Sequence, residues 1–255
     1  MMEFINYQTA IKFLLIISRI SGLIVSSPIL SERTIPGRIK ILLTFVLSIM
    51  ILPSLPRFDL NPSGIGQLVA WIFGQALFGM VIGFAVSLTF AALQSAGNLA
   101  DVQIGFGVAT LIDPSTGVQT TILARWYYLL AIMLFLGIGG HHWLILGLIN
   151  SFKVIPLTQA TLTAGLVHYI LRSFSNIFQI AFNITTPILI SVLLVDLTAG
   201  IVARISPKLN ILIISFPFKI GLGLFVAMLS VPVTVYLLIM HLDKLKVPLM
   251  KFFYI

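Results

Sequence analysis

The sequence predicts an all-α membrane protein of about six long, partly kinked apolar helices arranged as hairpins, with a plug-like loop near its centre. Three observations carry that prediction. Of 255 residues, 59% are hydrophobic and only 9% charged, where soluble domains average about 25% charged, and the mean hydropathy is +1.12. The apolar residues gather in runs at about 5–30, 39–56, 66–94, 120–150, 166–203 and 209–241, and crossing about 30 Å of hydrocarbon takes about 20 helical residues. Between the third and fourth runs, Gly105 to Gln119 breaks the pattern with three glycines, Asp113-Pro114 and hydroxyl residues.

The composition also excludes whole classes of function. Absence of cysteine removes disulfides, thiolate metal sites and cysteine nucleophiles together. The net charge of +8 is scattered, which fits membrane surfaces and subunit contacts and makes no case for nucleic acid.

The first run carries Lys12 and Arg19, seven residues apart and so on one helical face. A cation facing lipid is costly; Lys12 is expected to snorkel to headgroups and Arg19 to find a protein partner. No small-x-small cleavage pattern follows, so this segment is expected to stay in place. The loop Ser31 to Lys40 is basic and turn-like. In it Arg33 precedes Pro36 by three residues, as Arg204 precedes Pro207, a weak repeat of a hairpin turn.

The third run holds a ridge of small residues at i+4 spacing, Gly79, Gly83, Ser87, Ala91 and Ser95. Such a ridge lets another helix approach closely when lipid offers no hydrophobic drive; its partner is either this chain or another subunit. Gln94, Asn98, Asp101 and Gln103 continue the run in polar form and belong in water or a polar groove. The central stretch is too irregular for a helix and too greasy for an ordinary loop. Phe106, Val108, Leu111 and Ile112 between Gly105, Gly107 and Pro114 make it a candidate plug or gate, or else a linker resting on helix ends.

Thr116 to Gln119 fits a capping box for the fourth run, and Asp113 sits where a helix N-terminus favours a negative charge. That run breaks at Gly137 to Trp143, where adjacent His141 and His142 lack a third ligand at metal-binding spacing. Pro187 in the fifth run and Pro217 and Pro232 in the sixth predict kinks. The two runs turn at Ser206-Pro207. Asp196, about ten residues before the turn, and Lys219, about twelve after it, come to similar depth and invite an intramembrane ion pair. Counted over alternate loops, Arg33, Arg38, Lys40, Arg204 and Lys208 oppose Arg57, Lys153, Lys244, Lys246 and Lys251, so the positive-inside rule assigns no orientation.

No catalytic motif is present: no His-Glu-x-x-His, no Gly-x-Ser-x-Gly, no phosphate-cradling loop. One embedded acid is a poor supply for an ion-coupled transporter. The residues favour a packed channel or complex subunit, with no catalytic, metal or cofactor site.

Gly105-Phe106-Gly107 through Asp113-Pro114, Gly139-Gly140-His141-His142, Arg204-Ile205-Ser206-Pro207-Lys208-Leu209-Asn210 and Phe216-Pro217-Phe218-Lys219 together resemble the FliR/SctT family of type III secretion export-gate subunits, on its flagellar side. The resemblance runs end to end and departs from the pattern at Lys208 and Ser215, where Gln and Gly are usual. It implies a P-type-like region at 1–165, with a plug at 105–119, and a Q-type-like hairpin with a basic tail at 166–255. It implies P-type and Q-type partners (FliP, FliQ) and the B-type component (FlhB) in a closed assembly that passes unfolded flagellar proteins, driven by a separate ATPase and the proton motive force. It places that assembly at the bacterial inner membrane in the flagellar basal body, displaced toward the periplasm. A virulence-type secretion subunit, or a small-solute transporter with a site among Asp196, Lys219 and His168, are the alternatives.

Overall fold

The computed structural model describes residues 7–32, 34–56, 60–106, 121–158, 164–208 and 210–251. Helix α1 (Tyr7–Ser26) is followed by α2 (Gly37–Ile51), which ends in a 3-10 turn (Leu52–Ser54). Helix α3 (Ile65–Ile104) is followed by α4 (Ile122–Gly137), α5 (Gly140–Val154), α6 (Ala164–Ile205) and α7 (Ile211–Lys251). No strand occurs among the described residues. Five helices are long and apolar enough to cross a membrane, or six spans if α4 and α5 count as one.

One boundary differs from the sequence reading, and one break falls where that reading put it. The third run continues as helix ten residues further, to Ile104, because its polar tail keeps good helix formers and meets its first positive-φ residue only at Gly105. The fourth run is two helices bent by 67°. Gly139, at φ +72°, makes the bend, a conformation costly to any residue with a Cβ. Pro187 lies inside the continuous helix α6.

The chain divides into two compact units. The first comprises Met1–Leu88, Ile138–Ser173 and Asp243–Ile255, the second Thr89–Gly137 and Phe174–Leu242. Helix α3 contributes its first part to one and its last part to the other.

The first unit is built on a backbone-to-backbone seam between α1 and α3. A Cβ at Gly79 would overlap the Arg19 carbonyl, and one at Gly83 the Ser26 hydroxyl and the Leu23 carbonyl. On the opposing helix, a Cβ at Gly22 would overlap the Ala76 carbonyl. Gly79 and Gly83 thus serve packing within the chain. Further along the ridge, the Ser87 hydroxyl turns back to the Phe84 carbonyl at 2.8 Å, and Ala91 is half-buried.

That close approach places Arg19, which has no accessible surface, among polar and aromatic groups. Its Nε donates to Gln75 Oε1 at 2.6 Å, Nη1 to Ser151 Oγ at 3.0 Å and Nη2 to the Ile155 carbonyl at 3.2 Å. The guanidinium lies 4.2 Å from the Phe152 ring centroid and 4.9 Å from that of Phe78, a favourable stacking for a weakly hydrated cation. Gln75 Nε2 in turn donates to the Leu157 carbonyl at 2.7 Å. One buried cation thereby ties α1, α3, α5 and the turn after α5.

Lys12 does not reach outward as expected. Its Nζ donates to the Leu52 and Leu55 carbonyls at 2.9 and 2.8 Å, because the end of α2 and its 3-10 turn leaves acceptors that a cation satisfies well. Lys40 does the same for the first loop, donating to the Ser31 and Glu32 carbonyls at 2.9 Å each. Phe13 and Phe45 close the α1–α2 pair edge to face at 5.5 Å.

The seam gives a direct test. Gly79→Ala drives a methyl into the α1 backbone, whereas at Gly200 a Cβ meets nothing within 4 Å and alanine in a helix gains about 1 kcal/mol over glycine. Gly79→Ala is expected to lower the melting temperature and membrane level of the detergent-extracted protein. Gly200→Ala is expected to leave both unchanged or raised, and equal behaviour of the two variants would rule out the seam.

Candidate functional site

The central stretch follows the end of α3 at Gly105 and precedes α4 at Ile122, and the described residues on either side show how both ends are held. Gly105 is buried at φ +105°, and its N–H donates to the Asp101 carbonyl at 3.0 Å, a glycine helix end. A Cβ there would stand 2.8 Å from the ring of Phe216 on α7. The site therefore requires glycine for both its dihedral and its space. Phe106 is half-buried. Gly107, Val108, Leu111, Ile112, Asp113 and Pro114 lie outside the described residues, as do the Thr116–Gln119 capping box and the side chain of His168.

The return end is capped from a distance. Asp101, fully buried on α3, accepts with Oδ2 from the Leu123 N–H at 2.9 Å and the Ala124 N–H at 3.1 Å. These are the second and third amides of α4, the donors that an N-cap side chain normally satisfies. Thr121, in the N-cap position, spends its hydroxyl on Asn98 Oδ1 at 3.0 Å instead. Gly97 lets α4 come so near that a Cβ would overlap the Ala124 backbone. A carboxylate at the start of a helix also gains from the partial positive charge there.

The end of α3 is further fixed within this unit. Thr185 on α6 donates to the Ala96 carbonyl at 3.0 Å, and Gly223 on α7 makes room for the fully buried Ile104. Asp101 Oδ1 and the Tyr127 hydroxyl are buried and meet no hydrogen-bond partner of full geometry among the described residues. Local spacing put Asp101 in water or a polar groove, without a named partner. The structure buries it, because capping α4 replaces the water it loses. No short-range signal marks a cap 20 residues from its helix.

On the neighbouring hairpin, Asp196 of α6 and Lys219 of α7 form an ion pair. The Asp196 side chain is 44% exposed and that of Lys219 22%, so the pair is reachable from outside the chain. His141 and His142 open α5 with ring centroids 4.1 Å apart, closer than adjacent helical positions suggest.

A family model described as "Bacterial export proteins, family 1" matches residues 10–245. The chain belongs to that family. Its relatives include the "Flagellar biosynthetic protein FliR" of Bacillus subtilis, 31% identical over 94% of this chain and 93% of the relative. The FliR of Escherichia coli K12 is 33% identical over 81% and 78%, and that of Pectobacterium carotovorum 32% over 84% and 82%. Membership in the export family, with its flagellar relatives, makes this chain a flagellar export component with membrane-length helices. The anchored stretch at 105–121 lies inside the matched region.

Two outcomes test this geometry. Asp101→Ala removes the distant cap, which costs about 1–2 kcal/mol and should speed amide exchange at Leu123 and Ala124 about tenfold. Asp101→Asn keeps an acceptor oxygen and should stay near the parent rate, whereas unchanged exchange in the alanine variant would mean that the cap holds nothing. For the ion pair, the exchanged variant Asp196→Lys/Lys219→Asp is expected to keep assembly and motility better than Asp196→Asn or Lys219→Gln alone. Equal loss in all three would argue against pairing.

Proposed function

We propose that the chain is a subunit of the flagellar type III protein-export gate, forming with P-type and Q-type partners (FliP, FliQ) the closed pore through which unfolded flagellar proteins leave the cell, next to the B-type component (FlhB). Residues 1–165 act as its P-type-like region and 166–255 as its Q-type-like hairpin and basic tail. No covalent chemistry and no cofactor are part of this role. The observation that carries the reading is the anchored stretch: an apolar, glycine-rich segment whose two ends are pinned at a buried stem by Asp101, Gly97 and Phe216.

A plug has to be held at its base and free of regular structure at its tip. Ends tied to α3, α4 and α7 meet the first need. The second is met in the sequence by Gly105, Gly107, Pro114 and Gly117. Phe106, Val108, Leu111 and Ile112 supply the seal, since an apolar constriction excludes ions by keeping water out.

The helix lengths support an assembly that stands partly outside the bilayer, and the family resemblance implies that this part lies toward the periplasm. Helices α3, α6 and α7 have 40, 42 and 41 residues, about 60 Å each at 1.5 Å per residue, twice the hydrocarbon thickness. Helices of that length standing across a membrane leave half of themselves outside it. The flagellar relatives favour flagellar cargo over that of a virulence system.

Deleting residues 106–112 tests the plug. Vesicles or cells carrying the variant are expected to leak small ions severalfold faster, seen as collapse of a potential-sensitive dye signal, while partner subunits still co-purify. Unchanged permeability with intact assembly would remove the plug assignment.

A further inference from the structure

Helix α6 changes the chemistry of one line of its outward face at Pro187, while a flanking line of Leu171, Phe174, Phe178 and Phe182 is apolar and 51 to 61% exposed. Its inward face is apolar along both halves, with Ile177, Ile180, Ile184, Ile188 and Val192 buried. Before the proline, the middle of the outward face carries Ser175, Asn176, Gln179, Asn183 and Thr186, all exposed and one above another at steps of three and four. Beyond it, the same line continues as Ile190, Leu193, Leu194, Leu197 and Ile201, each 55 to 61% exposed.

The polar half is poorly supplied from within. Thr186 turns its hydroxyl back to the Phe182 carbonyl at 2.6 Å, but Asn176, Gln179 and Asn183 make no side-chain hydrogen bond among the described residues. Pro187 has no N–H, so the Asn183 carbonyl on this same face also lacks its helical donor. Three amides and a free backbone acceptor within four turns cannot face hydrocarbon without heavy desolvation. Lipid suits the other half.

We infer that lipid contact along α6 ends at Pro187, and that its face from Ser175 to Thr186 stands in water in the assembled protein. A closely packed neighbouring helix is the poorer occupant. The tight helix seams of this chain run through glycine, at Gly22, Gly79, Gly83 and Gly97, and the polar line on α6 holds no glycine or alanine. Each amide has two donors and two acceptor sites, which water satisfies in any arrangement and a helix face does not.

The ion pair fixes the level of α7. Counting equal numbers of residues on from Lys219 and back from Asp196 sets Leu229 beside Thr186, Val233 beside Phe182 and Tyr236 beside Gln179. Those α7 residues are 63, 57 and 67% exposed. At one level the hairpin therefore carries a polar line on α6, flanked by Phe178 and Phe182, and an apolar outward face on α7. Placing the wet face inside the export assembly rests on the gate reading; its wetness does not.

The chain has no cysteine, so single nitroxide labels can be set at Asn176, Gln179, Asn183, Ile190, Leu194 and Leu197 without a background. Collision with a water-soluble nickel chelate and with oxygen is measured in reconstituted membranes, and the same preparation is scored for co-purifying partner subunits. The expected result is nickel access severalfold higher at 176, 179 and 183 than at 190, 194 and 197, with oxygen access reversed. Low nickel access throughout overturns the inference, with high oxygen indicating lipid and low oxygen a protein neighbour. A step at Pro187 without co-purifying partners would sink the gate reading and leave this one standing.

Discussion

A polar group set among helices this apolar has to find its partners inside the protein, and the architecture follows from how it does so. Arg19 sits with no accessible surface against Gln75, Ser151, the Ile155 carbonyl and two aromatic rings. Those partners are neutral, so the cation is held by hydrogen bonds and ring faces in place of a counter-charge. Hydrogen bonds to charged groups contribute about 1.5–3 kcal/mol each, and losing one would leave a buried guanidinium unsatisfied. That asymmetry fixes α1, α3 and α5 in one register.

Glycine makes those distances reachable. Gly22, Gly79 and Gly83 bring α1 onto α3 in the first unit, and Gly97 brings α4 onto α3 in the second. Between helices in lipid, dispersion contacts and hydrogen bonds replace the hydrophobic drive, and both fall off steeply with distance. The same logic governs Asp101. It reaches the α4 amides because Gly97 removes the side chain that would hold the two helices apart.

The functional region is therefore a rigid stem carrying a stretch of different character. Everything that pins the stem comes from long helices: Asp101, Gly97 and Asn98 from α3, Thr185 from α6, Phe216 and Gly223 from α7. The Asp196–Lys219 pair joins α6 to α7 and keeps its acid 44% exposed.

The sequence by itself determined the all-α membrane class, the apolar helices, the break at Gly139, the hairpin at Ser206-Pro207 and the family. Those features follow from local properties: run length, glycine and proline placement, and charge. It also matched Asp196 to Lys219 by depth, because a tight turn makes equal spacing from it equal height. What only the tertiary structure decided are the distant partnerships. Lys12 caps the end of α2 where snorkelling was expected, Asp101 is a buried cap where water or a polar groove was expected, and Gly22 is the counterpart of the Gly79–Gly83 ridge. Each depends on which helix lies alongside, and helix pairing is set by contacts between residues far apart in the chain, which no local pattern of spacing records.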